Sequence, residues 1–205
     1  SFPTRRSSDL DLNESLNKAD RLMYLKKQEY YRTSQNIAPE KTPLLKDLTN
    51  AILNKEYLVY LQPKINLGSD SIDSAEALVR YREKDGSISP PFKFIPMLES
   101  EGLISNIDFF VLEEVCRLLT SWKNTPFSEI RLALNLSRIT LFDDHFFTRF
   151  WEIFKRYDLK PEQIEIEITE AQETLNKKQM ALLLEQLKNR GFRIVLDDFG
   201  VAYSS

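Results

Sequence analysis

The chain predicts an α/β fold, a parallel sheet with helices packed on it and curled toward a (β/α)8-type barrel. Three observations point there. From residue 72 onward, short β-branched runs alternate with stretches of helical spacing, joined by short connections. Several of those runs end in acids or amides: Asn135 after RLAL, Glu170 after IEIEIT, Asp197-Asp198 after RIVL. The chain has five glycines and no GxGxxG or Walker-type turn, the usual mark of a doubly wound sheet's crevice. The alternation alone suits either architecture. The polar residues favour the barrel, because its strands bring their C-terminal ends to one rim.

In order, residues 1–10 (SFPTRRSSDL) show no periodicity and read as a non-native end. Asn17–Arg32 reads as an amphipathic helix, with Ala19, Leu22, Met23 and Tyr30 on one stripe and Lys18, Lys26 and Lys27 off it. A polar linker containing Pro39 follows. Thr42-Pro43 starts a helix, continued by Leu44, Leu45, Leu48, Ala51 and Ile52. Tyr57–Leu67 and Ile72–Tyr81 read as strands, and the tight turn at Gly68–Ser71 makes them antiparallel.

Phe94–Glu101 is a short helix stopped by Gly102. Ile107–Trp122 is a longer one, with Ile107, Phe110, Val111, Val115, Leu118, Leu119 and Trp122 as its apolar stripe. Ile130–Leu136 is a strand. Asp143–Tyr157 is a helix whose aromatic stripe, Phe146, Phe147, Phe150 and Phe154, reads as a packing surface and not a cofactor site. Strand Ile164–Thr169, helix Leu175–Arg190 stopped by Gly191, and strand Arg193–Leu196 complete the chain.

Composition removes several function classes. A net charge of −3 offers no basic surface for duplex nucleic acid. One cysteine, Cys116, and one histidine, His145, permit neither an internal disulfide nor a Cys/His zinc cluster. No apolar run reaches the roughly 18 residues of a membrane span, and no secretory signal is visible. A cytoplasmic domain is the expectation, compatible with a membrane-anchored parent.

The acids carry the chemistry. Two-residue alternation puts Glu76, Leu78 and Arg80 on one strand face, and Arg131, Ala133 and Asn135 on another. In the next strand Ile164, Ile166 and Ile168 form one face, Glu165 and Glu167 the other, with Glu170 following. Asp197 and Asp198, adjacent at the mouth of a buried strand, repel each other and lose hydration, so a cation is needed beside them. Carboxylates and an amide, without imidazole or thiolate, suit Mg2+ or Mn2+. Four or more acids suit two metals, an arrangement used in phosphodiester hydrolysis. Arg80, on the face of Glu76, suits a phosphate.

Each feature also has a plainer reading. Ile/Glu alternation ordinarily marks a strand with one wet face. Glu76 can pair with Arg80, Asn135 can cap a turn, and Asp197-Asp198 can be a solvated turn. The same placement on four strands sets these aside. His145 reads as structural or surface.

Gln62-Pro63 in YLQPKINL, Glu76-Ala77-Leu78 in SAEALVR, FIPMLESEGLI, Asn135-Leu136-Ser137, Glu167-Ile168-Thr169-Glu170 and Asp197-Asp198-Phe199-Gly200 resemble, in order and spacing, the EAL-domain cyclic-di-GMP phosphodiesterases across residues 44–205. The resemblance implies a (β/α)8-type barrel with an antiparallel first strand. It implies hydrolysis of cyclic di-GMP to linear pGpG at a two-metal Mg2+ or Mn2+ site, and a homodimeric full-length protein. It makes Glu76, Asn135, Glu167 and Asp197 metal ligands, and sets Asp198 at the second metal or the attacking water. Glu170 would hold the loop after Asp198, and Gln62 and Arg80 would contact substrate.

Two departures stand out. Val201-Ala202 replaces the Thr-Gly of the family's DFGTGYSS loop, which is linked to metal coupling and dimerisation. The sequence also ends at Ser205, before the family's later strands with their Lys, Glu and Gln. These imply an incomplete barrel, poorly stable and inactive by itself, from a plausibly active parent. The alternative is a degenerate EAL domain that senses cyclic di-GMP without cleaving it. Upstream, KADRLMYLKKQEYYR resembles the final helix of a GGDEF (diguanylate cyclase) domain. Residues 11–35 would then be that remnant and 36–43 the linker.

Overall fold

The computed structural model describes residues 42–169 and 177–197. The expected helix Asn17–Arg32, the linker ahead of Thr42, Glu170, Asp198 and the Val201-Ala202 loop lie outside the described residues. The chain divides into two units, Ser1–Glu56 and Tyr57–Ser205. In the first, helix α1 (Thr42–Leu53) ends in a left-handed turn at Lys55, φ 58, and Glu56 N–H donates back to the Ala51 carbonyl at 2.9 Å.

The second unit is built on one sheet. Its strands are β1 (Tyr57–Asn66), β2 (Ser71–Arg82), β3 (Ile88–Ser89), β4 (Arg131–Asn135), β5 (Ile164–Thr169) and β6 (Arg193–Asp197). They lie in the order β1-β2-β4-β5-β6, with β3 paired to β2. The β1–β2 pair is antiparallel; β2–β4, β4–β5 and β5–β6 are parallel. This is the mixed α/β wall that the alternation predicts, with its antiparallel first strand. Pro63 is tolerated in β1 because, among the described residues, that strand lies at the sheet's margin with β2 as its one neighbour.

Helices cover one face of the wall. These are α2 (Ile95–Ser100), α3 (Ile104–Ser121), the short α4 (Arg138–Leu141), α5 (Phe146–Phe154) and α6 (Lys177–Asn189). The face they cover carries Ala75, Ala77, Leu132, Leu134, Ile164, Ile166 and Ile168, all buried. Helix α3 packs on β2 and β4 and also against α5. Two-sided packing buries more of α3 than a single stripe predicts: Phe109, Leu112 and Cys116 are as buried as Ile107 and Val115. Each such side chain contributes about 1.5–3 kcal/mol. Phe146, Phe150 and Phe154 pack as expected, the first against Phe109 of α3 and the other two edge-on to Phe192 before β6. No described helix is long and apolar enough to cross a membrane.

The structure departs from the sequence reading in several places. Helix α3 begins at Ile104, one turn earlier than Ile107. The segment read as Asp143–Tyr157 is helical over Phe146–Phe154, with the separate turn α4 ahead of it. Strand β5 also lacks the wet face that the plainer reading of its Ile/Glu alternation describes: Glu165 is 7% exposed and Glu167 3%, while Ile164, Ile166 and Ile168 are fully buried. A wall covered outside by helices and curled on its inner side buries both faces of its strands.

Candidate functional site

Register defines the inner face. Gln62 lies opposite Glu76, Glu76 is level with Ala133, and Asn135 is level with Glu167. Alternation then assigns Gln62, Lys64, Glu76, Ala133, Asn135, Glu165 and Glu167 to the face away from the helices. The candidate ligands climb across the sheet. Glu76 is lowest, Asn135 and Glu167 stand two residues higher, and Asp197 is level with Thr169, two higher again. Barrel strands tilt against the axis, so residues at one height advance in register from strand to strand. The staircase is the stagger a common rim requires. A rim built only from strand ends would put Glu76 at the end of β2, and the structure corrects this: Glu76 sits in the middle of that strand.

The bonds follow this geometry. Asn135 Nδ2 donates to Glu76 Oε1 at 2.7 Å. Lys64 Nζ donates to Glu167 Oε1 and forms an ion pair with it. Gln62 and Asn135 are exposed, Glu76 is half-buried and Glu167 is buried, so the site opens to solvent above a dry carboxylate.

Arg80 stands apart. It shares Glu76's face but lies four residues, about 13 Å, further along β2. Its guanidinium donates to the Val79 carbonyl at 2.9 Å and lies over the Tyr60 ring at 5.9 Å. Glu76 therefore bonds Asn135 and not the arginine suggested by the plainer reading.

A second charged layer lies below. Arg131 Nε donates to Glu165 Oε1 at 2.6 Å, and its Nη2 to Asp73 Oδ2 at 2.8 Å. The bond from Arg131, then one from Asn66, holds the Asp73 carboxyl below its usual range; the Asp73 and Glu165 partners push the Arg131 guanidinium up. Glu165 is thus committed to structure, unlike Glu167 two residues later. Ala133 is level in register with both Glu76 and Glu165 and stands between them on β4 with the smallest side chain that keeps a Cβ.

Two residues escaped the sequence reading. Lys64 is one; its signal was the two-residue spacing from Gln62. Asp108 is the other, an acid inside the apolar stripe of α3. Its Oδ2 accepts from Ser137 N–H at 2.9 Å and from Thr140 Oγ1, and Thr140 Oγ1 also bonds Ser105 Oγ at 3.0 Å. Ser137 caps α4 by accepting from Thr140 N–H at 3.1 Å. This cluster pins the turn that follows Asn135. Burial pushes the Asp108 carboxyl up to about 6 against the pull of these bonds. His145 is exposed, away from the chemistry.

The donor set suits a hard cation. Glu76, Asn135 and Glu167 offer oxygens only, and a lysine ammonium already satisfies Glu167 as a positive charge. Among the described residues no three His, Cys, Asp or Glu side chains gather into a metal group by themselves. Asn135 completes the described trio.

Comparison with known proteins agrees with this geometry. A family model described as the EAL domain matches residues 45–205. The chain is 30% identical over 200 residues to the bifunctional diguanylate cyclase/cyclic di-GMP phosphodiesterase MucR of Pseudomonas aeruginosa, covering 94% of this chain and 29% of that protein. It is 33% identical over 165 residues to the probable cyclic di-GMP phosphodiesterase PdeA of Escherichia coli, covering 79% and 22%. It thus spans about a quarter of the length of these curated relatives. Among solved structures it resembles the PaMucR phosphodiesterase in complex with c-di-GMP, with TM-score 0.72 and 30% identity over 80% of this chain and 66% of that one. With the wall, the inner-face acids and the match over residues 45–205 in agreement, the chain belongs to the EAL domain family.

Proposed function

We propose that the protein containing this chain hydrolyses cyclic di-GMP to linear pGpG, with two Mg2+ or Mn2+ ions held by Glu76, Asn135, Glu167, Asp197 and Asp198. The observation that carries this is the set of oxygen donors on one concave face, tied together by the Asn135–Glu76 bond. The relatives named as phosphodiesterases support the reading, as does the cyclic di-GMP bound in a structural neighbour. When bound, the metals supply Lewis acidity at the phosphate and a more acidic water. The chain's own residues do the rest. Glu76 and Asn135 orient each other, and Glu167 anchors the site from its buried position. Gln62 and Arg80, on the same face, bind the nucleotide and its phosphate, and Glu170 steadies the segment that carries Asp198.

Residues 11–35 are proposed as the end of a GGDEF domain joined through 36–43, with the full-length protein a cytoplasmic homodimer. The alignment with MucR extends beyond the span matched by the EAL domain model, which supports an upstream domain. The Val201-Ala202 substitution favours a second reading, a sensor that binds cyclic di-GMP without cleaving it. Incubating the protein with cyclic di-GMP and Mn2+ and separating the nucleotides distinguishes the two. Linear pGpG that disappears with EDTA and with Glu76→Gln supports hydrolysis. Metal-independent binding without turnover supports the sensor, and absence of binding rejects both.

A further inference from the structure

The contact between Lys64 and Glu167 spans the sheet. Lys64 is on β1 and Glu167 on β5, with β2 and β4 between them. On a flat sheet three strand spacings amount to about 14 Å. The contact therefore requires the wall to curl, and it carries the ammonium across the two strands that bear Glu76 and Asn135. Glu167 is 4% exposed at its side chain and Lys64 35%. A carboxylate that buried is costly without a counter-charge, whereas a lysine that exposed keeps access to water. The pair is asymmetric: Glu167 depends on Lys64 far more than Lys64 depends on Glu167.

We propose that Lys64 is the resident counter-ion of the site, occupying in the metal-free protein the charge position that a divalent cation takes on binding. Metal entry must displace the ammonium from Glu167. Lys64 thereby lowers the affinity for metal and keeps the buried carboxylate compensated while metal is absent. Displacement is cheap because the lysine stem is long and the head is near solvent. It is a positioning residue acting through Glu167. The inference rests on the metal-site reading above and adds a property that reading does not require.

The test is Mn2+ binding to the full-length protein containing this chain, read by electron paramagnetic resonance as loss of the free-ion signal, with Lys64→Met retaining the apolar stem. The expected result is affinity tightened about tenfold or more, since both a competitor and a like charge are removed. The metal-free variant should melt below the wild type, with saturating Mn2+ closing that gap. Equal Mn2+ affinity in the two proteins overturns the proposal while leaving the metal site intact. Failure of the metal reading looks different: Mn2+ binding would be absent, or unaffected by Glu167→Gln, and the proposal would fall with it.

If Lys64→Met does not fold, the unaltered protein carries the test. Saturating Mg2+ should raise the acylation rate of the Lys64 amine, read by peptide mass spectrometry, several-fold relative to Lys46 on α1. An unchanged ratio overturns the proposal.

Discussion

Asn135 and Glu76 are joined by a 2.7 Å bond from the amide Nδ2 to the carboxylate Oε1, across the parallel β2–β4 boundary and up one step of the register staircase. The bond fixes the orientation of both groups, since using Nδ2 on Glu76 turns the amide oxygen elsewhere. Asn135→Ala should weaken Mn2+ binding about tenfold, roughly 1.4 kcal/mol. Because Asn135 is exposed, stability should move by no more than about 0.5 kcal/mol. Isothermal titration beside urea unfolding reads both quantities; a large stability loss would make Asn135 structural.

Arg131 should prove a stability residue with little influence on metal. Removing it leaves Glu165 buried without its main counter-charge. Since Arg131 keeps a quarter of its side-chain exposure, the expected cost of Arg131→Met is moderated to about 2 kcal/mol. Adding Glu165→Gln should recover much of it. Urea midpoints of the two single variants and the double variant give the coupling, and additivity would contradict the ion pair.

Asp108 gives a pH dependence of unusual sign for an acid. Its folded value, about 6, lies above the roughly 3.9 of an unfolded aspartate. The folded chain therefore binds this proton more tightly. The resulting stabilisation is complete below about pH 4 and lost as pH rises through about 6, about 3 kcal/mol in all. Asp108→Asn is neutral throughout and can still accept from Ser137. Between pH 7.5 and 4.5 the stability difference should shift toward the wild type by about 2 kcal/mol, the part of the change that falls within that window. Parallel pH profiles for the two proteins would remove Asp108 as the titrating group.

Ile166 tests the other face of β5. It is fully buried, and Ile166→Ala should cost about 2–4 kcal/mol through lost burial and a residual cavity. Mn2+ affinity of the folded fraction should stay within about twofold. Calorimetric melting and metal titration on the same sample check this, and a large affinity loss would show that the two faces are coupled.

Much of this architecture was legible because periodicity reports burial directly. RLALN and RIVL announced strands, and Thr42-Pro43 and Gly191 marked a helix start and stop. Gly191, φ 94, sits where only a residue without Cβ is comfortable, with Pro161 and Glu162 at 3.3 Å from any added methyl. What stayed hidden depends on closure. The Ile/Glu alternation of β5 describes a wet face on any open sheet; only curvature dries Glu165 and Glu167, and a local pattern carries no curvature. Lys64 stayed hidden because a lysine on a marginal strand is normally solvated. Helix α4 and strand β3, with four and two residues, are too short to establish a period. The ligand set was read from motifs, yet its staircase emerged only with the strand pairing, because register is a relation between segments distant in sequence.

The two sides of β5 divide the molecule's obligations. Isoleucines facing the helices hold the wall together, while glutamates one residue away contribute little of the grease that makes it fold. A lineage that keeps the buried Arg131–Glu165 pair can therefore exchange the more exposed donors, Glu76 and Asn135, and inherit an intact scaffold each time. Loss of turnover need not mean loss of shape. A retired enzyme of this build would remain a folded receptor, ready to be kept for what it holds instead of what it cuts.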